Sequence, residues 1–322
     1  MITIWAPEGV GEVRRGDDLA DHLIPVLSGF ELADGDVVCV TSKVVSKAEG
    51  RVVAGDRSAA IRRETRRLVA RRGQLSIVVN RLGLTMAAAG VDASNIEAGS
   101  VLLLPEDPDA SARTLRSAIA CRADANVAVV LTDTAGRPWR EGQTDIAIGA
   151  AGLRVLEVHA GQVDPYGNTL SVTAPAVADE LAGAAELAAG KLGRRPFVVV
   201  RGRADLVLDA EDHGPGAAGL LRPGGTDLFG LGAREAVVTA LRADPAERDV
   251  FGTPTDPAEL AALVAALTGL EVTHSAAGLV LEAPDPRTRW VADVAAYAHG
   301  WEVVDAPDPH EISRIRLLPV TP

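Results

Sequence analysis

Aromatic side chains make up only 3% of this 322-residue sequence, and it holds just two cysteines and two methionines. With so few rings, Val, Leu, Ile and Ala must fill the core. So few thiols exclude a disulfide-stapled scaffold, and Cys39 and Cys121, far apart in apolar stretches, read as buried free thiols of a reduced compartment. Positive charge is also scarce. The net charge of −12 argues against a general nucleic-acid binder, which needs a basic face to neutralise phosphates. No run approaches the ~18 apolar residues that a membrane-spanning helix needs. The opening MITIWAPEG has no basic segment leading into an apolar one. The expected partners therefore include neither nucleic acid nor membrane, and the expected location is the cytoplasm.

What is present is an ordinary globular mixture, 47% hydrophobic and 24% charged, long enough for two domains. A short strand at Ile2 to Trp5 leads into a loop. Asp17 and Asp18 then offer an N-cap to a helix whose apolar face is Leu19, Leu23, Ile24 and Leu27. Asp36 to Thr41 reads as a buried strand, and further strands are expected at 75–80, 101–104, 127–132, 146–148 and 197–201. Helical patterns cover 110–120 and 176–189, and the arginine-rich run 62–72 reads as an amphipathic surface helix. This mixture is α/β or α+β. Residues 246–257, rich in Asp, Pro and Gly, have the composition of a linker. They separate a first domain, 1–245, from a small α/β module at 258–322 with helices at 258–267 and 288–299 and strands at 271–282 and 312–319.

No GxxxxGK[ST] loop, GxGxxG turn, HExxH pair or nucleophile elbow occurs, so a nucleotide site must be built otherwise. Four polar groups stand out. In the first, the apolar strand at 127–132 runs directly into Asp133, Thr134, Gly136, Arg137 and Arg140. The acid and hydroxyl are hard oxygen donors suited to Mg²⁺ or Mn²⁺, and the arginines can grip phosphate or carboxylate; a charged turn with internal ion pairs fits the same residues. Asp92 and Asn95 interrupt a small apolar stretch, either as an Asx turn or, with Asp133, as a two-carboxylate metal site. Thr41 to Arg51 places Ser42, Lys43 and Lys47 after a buried strand, as a surface turn or as a phosphate-facing site. The loop Glu8 to Val13 carries two glycines whose backbone could approach a ligand. The six histidines are scattered and carry no assigned role.

Taken together, EGVGEVRRGDDL (8–19), TSKVVSKAEGR (41–51), AAAGVDASNIEAG (87–99), LPEDPDASARTLR (104–116) and TDTAGRPWREGQTDIAIG (132–149) resemble, in order and spacing, the coenzyme F420-0:L-glutamate ligases. DPYGNTL (164–170), VADELAGAAELAAGK (177–191), FVVVRG (197–202) and LGAREAV (231–237) extend the resemblance to about three quarters of the chain. It implies GTP-dependent addition of L-glutamate to the lactyl carboxylate of F420-0, then of further γ-linked glutamates, with Mg²⁺ or Mn²⁺ and with K⁺ as a stimulating ion. It implies metal ligands at Asp92, Asp133 and Thr134, and GTP contacts at Val10, Gly11, Glu12, Val13, Ser42, Lys47 and Asn95. It also implies an α+β fold of mixed sheets and helices, not a doubly wound one, that forms an intertwined homodimer. Arg137 and Arg140 are expected to orient the anionic acceptor. Two readings stay open beside this one: a ligase for another small carboxylate, and a non-catalytic paralogue.

Three features depart from the resemblance, one of them the segment between Arg51 and Leu75, which is short compared with many relatives and forms one edge of the expected site. Archaeal members carry a metal-binding acid after the glycine that ends the long helix, where this sequence has Gly190-Lys191. A protonated lysine cannot ligate, so one metal would be lost, displaced or replaced by the ammonium. The final module is also too short for the flavin-dependent domain that some actinobacterial relatives append.

Overall fold

The computed structural model describes residues 1–27, 29–94, 96–223, 225–275, 278–305 and 313–320. They form two compact units, Met1–Leu221 and Arg222–Pro322. In chain order the first unit contains β1 (Thr3–Trp5), α1 (Leu19–Leu23), β2 (Val37–Thr41), α2 (Ser42–Ala48), β3 (Val52–Ala54), α3 (Arg57–Glu64), β4 (Thr65–Arg72) and β5 (Leu75–Asn80). It continues with β6 (Thr85–Ala87), β7 (Ser100–Leu102), α4 (Pro108–Ala123), β8 (Ala128–Gly136), β9 (Gln143–Ala151), α5 (Val177–Ala189) and β10 (Phe197–Arg201). The α+β expectation holds.

The central sheet has the order β1-β10-β2-β8-β9. Its one parallel pair is β2 with β8, which brings the C-terminal ends of two strands side by side, Thr41 opposite Thr132. Val37, Val38, Val40 and Ala128 to Leu131 are fully buried, because helices and smaller sheets cover both faces and both must be apolar. On one face Val38, Val40, Val129 and Leu131 pack with α1 and α4; on the other Val37, Cys39, Ala128 and Val130 pack with α5. β8 and β9 pair antiparallel with an irregularity after Leu131, where Gly149 and then Ala147 are the successive partners and Ile148 bulges out. Two smaller sheets, β3-β7 and β4-β5-β6, complete the unit.

Asp18 caps α1 as expected, accepting from Ala20 N at 2.9 Å. The helix expected over 62–72 is not formed. α3 ends at Glu64, and Thr65–Arg72 is a strand paired with β5. The Thr65 hydroxyl donates to the Ile61 carbonyl (2.7 Å) and Arg81 holds the buried Glu64 carboxylate (2.8 Å). These contacts end the helix, and hairpin pairing supplies the backbone bonds that helix propensity alone would have taken internally. Both cysteines are free. Cys39 is buried, and burial, with the Asp145 charge, pushes its thiol up to about 12. Cys121, expected to be buried, is exposed on α4.

The second unit contains α6 (Ala233–Arg242), a 3-10 helix (Pro245–Phe251), α7 (Pro257–Thr268), β11 (Val272–Ser275), β12 (Gly278–Glu282), α8 (Pro286–Ala298), β13 (Trp301–Asp305) and β14 (Arg314–Pro319). Its antiparallel sheet runs β11-β12-β14-β13. Leu260, Val264, Leu279, Leu281, Trp301 and Leu317 lie in its own core. The units divide at Leu221, earlier than composition indicates, because α6 packs on α8. The Asp- and Pro-rich stretch is itself ordered: Tyr297 Oη donates to the Asp244 carbonyl at 2.5 Å, and the Phe251 and Tyr297 rings meet edge to face. Among the described residues no helix is long and apolar enough to cross a membrane.

Candidate functional site

The parallel pair sets the site. β2 ends at Thr41, and α2 begins at once with Ser42, whose buried hydroxyl donates to Asp133 Oδ1 at 2.9 Å. Asp133 lies one residue beyond the last parallel pairing, Thr41 with Thr132. Burial pushes its carboxyl up to about 6; the Ser42 hydrogen bond opposes this, the charges of Asp145 and Asp92 add to it, and the Lys43 ammonium offsets part. Among the described residues no cation stands within ion-pair distance of Asp133.

Asp92 arrives from another direction. Its backbone bridges to Leu102, with Asp92 N donating to Leu102 O (3.0 Å) and Leu102 N to Asp92 O (2.8 Å). Burial would raise its carboxyl too, but the Lys43 ammonium at 2.5 Å and the hydroxyl and N–H of Ser94 outweigh burial and hold it at about 2. Lys43 also donates to Ser94 Oγ at 2.7 Å. The two carboxylates thus differ in kind: Asp92 has a counter-charge and Asp133 has only a hydroxyl.

Strand alternation places Asp133 on the face of Val129 and Leu131, and Thr132 and Thr134 on the face of Ala128 and Val130, beneath α5. There Asp145, buried on β9 directly opposite Thr134, accepts from Thr132 Oγ1 (3.0 Å) and Thr134 Oγ1 (2.7 Å). Lys191 follows the glycine that ends α5, and its ammonium donates to Thr134 Oγ1 at 2.6 Å. Of the three expected metal ligands, Asp92 and Asp133 share one cluster with Ser42 and Lys43, whereas Thr134 belongs to a second with Asp145 and Lys191.

The expected nucleotide residues gather partly. Lys47 lies one helical turn beyond Lys43 on α2, so both ammoniums emerge on one side. Lys47 Nζ donates to Glu12 Oε1 at 2.5 Å, drawing the loop 10–13 to α2 and holding the Glu12 carboxyl below the usual range. Val13 is buried and anchors that loop, while Gly11 faces open space. Asn95 lies outside the described residues. Arg137 and Arg140 sit in the exposed turn between β8 and β9, where Arg137 donates to Gly142 O at 3.2 Å. A cavity of about 360 Å³ opens elsewhere, near Arg66, Arg81, Pro108 and Ile148, and contains none of the expected residues.

Sequence reasoning gave Asp145 no role and offered Lys43 only as a phosphate contact, not as the partner of Asp92. Both stood inside the quoted motifs, Lys43 between Ser42 and Lys47 and Asp145 at the end of the Asp133 segment, but only the register shows what each touches. Among the described residues no three His, Cys, Asp or Glu side chains converge into a closed metal cage. Asp133, Asp92 and Ser42 do supply hard oxygens from two carboxylates and a hydroxyl. That is the sparse set on which Mg²⁺ is held when phosphate and water complete its shell.

Comparison with known proteins is consistent with these motifs. A family model described as F420-0:Gamma-glutamyl ligase matches residues 9–202. The coenzyme F420:L-glutamate ligase of Methanopyrus kandleri is 40% identical over 212 residues, 59% of this chain and 83% of that protein. The same-named protein of Natronomonas pharaonis is 40% identical over 223 residues, covering 61% and 84%. That of Haloarcula marismortui is 36% identical over 260 residues, covering 73% and 98%.

Proposed function

The chain belongs to the F420-0:gamma-glutamyl ligase family, and on that footing we propose that it is a glutamate ligase of coenzyme F420 biosynthesis. It uses GTP to join L-glutamate to the lactyl carboxylate of F420-0 and then adds further γ-linked glutamates. The observation that carries this reading is Asp133: a half-buried carboxylate at a strand end, oriented by Ser42 and raised by desolvation. A folded protein retains so costly a group where a ligand supplies the missing charge.

A carboxylate is a poor electrophile. In the proposed reaction an oxygen of the acceptor carboxylate attacks the γ-phosphorus of GTP and GDP leaves. The amine of glutamate then attacks the acyl carbon, phosphate departs and the amine gives up its proton. A divalent ion, Mg²⁺ or Mn²⁺, held by Asp133 and Asp92 would neutralise charge on the transferring phosphoryl group. Ser42 fixes the Asp133 carboxylate so that it need not reorganise. Lys43 and Lys47, already drawn to acids in this one region, offer ammoniums to phosphate oxygens, while the glycine-bearing loop 10–13 lies beside Lys47. Arg137 and Arg140, exposed on the turn beyond β8, are free to turn toward an anionic acceptor. K⁺ acts as a stimulating ion. The working form is a homodimer, supported by large apolar side chains left in water in the first unit: Trp139, Tyr166, Val172, Leu187 and Leu192.

Incubating the protein with F420-0, GTP, L-glutamate and Mn²⁺ and reading the product by mass spectrometry tests the proposal. The expected result is a ladder of glutamate additions with stoichiometric GDP. GDP formed only with another carboxylate would move the activity to that acceptor. No turnover and no GTP binding with either metal would make the chain a non-catalytic paralogue.

A further inference from the structure

The β8–β9 edge presents two places suited to a cation, one on each face of the sheet, and they are treated differently. On the Asp133 face no side-chain cation among the described residues pairs with the half-buried carboxylate. On the α5 face the buried Asp145 has both oxygens engaged by hydroxyls, Thr132 on one and Thr134 on the other. Thr134 spends its proton on Asp145, so its oxygen accepts from beyond, and the group it accepts from is the Lys191 ammonium at 2.6 Å. Lys191 is not consumed by this contact. Its other neighbour, Glu186 Oε1, stands at 3.7 Å, and the side chain is 61% exposed. Two of its three N–H groups thus remain available to something arriving from water.

We propose that Lys191 is a tethered cation occupying the position that Thr134 and Asp145 create, so that this site takes up one divalent ion, at Asp133 and Asp92, and not two. The inference rests on the metal-dependent reading above. An ion bound to the Thr134 oxygen at the roughly 2.1 Å of a Mg²⁺–oxygen bond would lie within about 5 Å of the ammonium. Like charge and the occupied lone pair both exclude it there. The ammonium supplies fixed positive charge in its place, as a point charge that needs no ligand cage. Sited at the end of the strand that carries Asp133, it positions an anionic group of the bound nucleotide or acceptor.

The test counts ions. Full-length protein is titrated with Mn²⁺ in the presence of a non-hydrolysable GTP analogue, and bound ions are counted by electron paramagnetic resonance. Wild type is expected to bind one Mn²⁺ per chain. Lys191→Glu, which restores an acid beside Thr134, is expected to bind two. Lys191→Met is expected to bind one and to hold the analogue about tenfold more weakly, the loss expected for one charge-assisted contact. Two ions on the wild type, a single ion on Lys191→Glu, or unchanged analogue affinity in Lys191→Met would each overturn the inference while leaving the metal-dependent ligase intact. No Mn²⁺ on any form would instead sink the metal reading, and this inference with it.

Discussion

Ser42 and Asp133, 91 residues apart in sequence, meet at 2.9 Å because β2 and β8 run parallel and end together. The bond joins the first residue of α2 to the one carboxylate of the cluster that has no cationic partner. Its consequences are measurable.

Asp133 should make the metal-free protein pH-sensitive. Its folded-state carboxyl is raised from 3.8 to about 6, so the folded form holds the proton more tightly than the unfolded chain does. Ionisation therefore costs stability: the penalty is absent below pH 3.8, grows as pH rises through that window and is complete above about 6. Asp133→Asn should remove a penalty of about 2–3 kcal/mol at pH 7 while abolishing glutamylation. Denaturation in chelator at pH 5 and pH 7 checks this, and an unchanged pH slope in the variant would speak against it. Asp92, held near 2, acts with the opposite sign and at lower pH, since its contribution is lost only as pH falls from 3.8 toward 2.

Lys43 is expected to matter more for binding than for folding. The pair with Asp92 is partly exposed, so Lys43→Met should cost about 1 kcal/mol or less in thermal stability. GTP affinity should fall about tenfold, as one charged contact to phosphate is lost. Calorimetric titration with the nucleotide and metal decides it; full nucleotide affinity in the variant would remove Lys43 from the site.

Arg140→Ala should raise the Michaelis constant for the acceptor about tenfold, the scale of one charged hydrogen bond, and leave GTP binding nearly unchanged. Steady-state kinetics with each substrate varied in turn separates the two effects. Loss of GTP affinity with an unaltered acceptor constant would reassign the residue.

Gly152 should tolerate no side chain. Its φ is +69°, and a Cβ there would stand 2.3 Å from the Arg116 Cζ. That guanidinium cannot retreat, because it donates to the carbonyls of Val127, Leu208, Asp209 and Asp212 and to Asn126 Oδ1. Gly152→Ala should destabilise the first unit by about 3 kcal/mol or more, seen as a fall in melting temperature; a melt within a degree of wild type would contradict the packing described.

The strands of the central sheet were legible because burial on both faces writes them as near-continuous apolar runs, VVCV at 37–40 and VAVVL at 127–131. The polar groups at their ends were legible for the same reason, since each interrupts such a run. Pairing was not legible. Nothing local says that Thr65 to Arg72 will join a hairpin, and its arginines satisfy a helix pattern equally well until β5 claims its backbone. Adjacent letters also hide geometry: Asp133 and Thr134 look like one ligand pair in sequence, yet alternation turns them to opposite faces. The division at Leu221 had a signal, the glycines and prolines between Gly214 and Gly232, but the Asp- and Pro-rich stretch after it reads equally well as a linker and is folded into the second unit.

The bulge at Ile148 decides which acids can meet. Were β9 to continue the pairing of Leu131 with Gly149 unbroken, Ala135 and not Thr134 would face Asp145, and that third carboxylate would turn toward Asp133. The extra residue reverses the parity of everything beyond it on β9, so Asp145 is delivered to the hydroxyls beneath α5 instead. One inserted residue thus keeps the buried Asp145 and the half-buried Asp133 on opposite sides of a wall one strand thick.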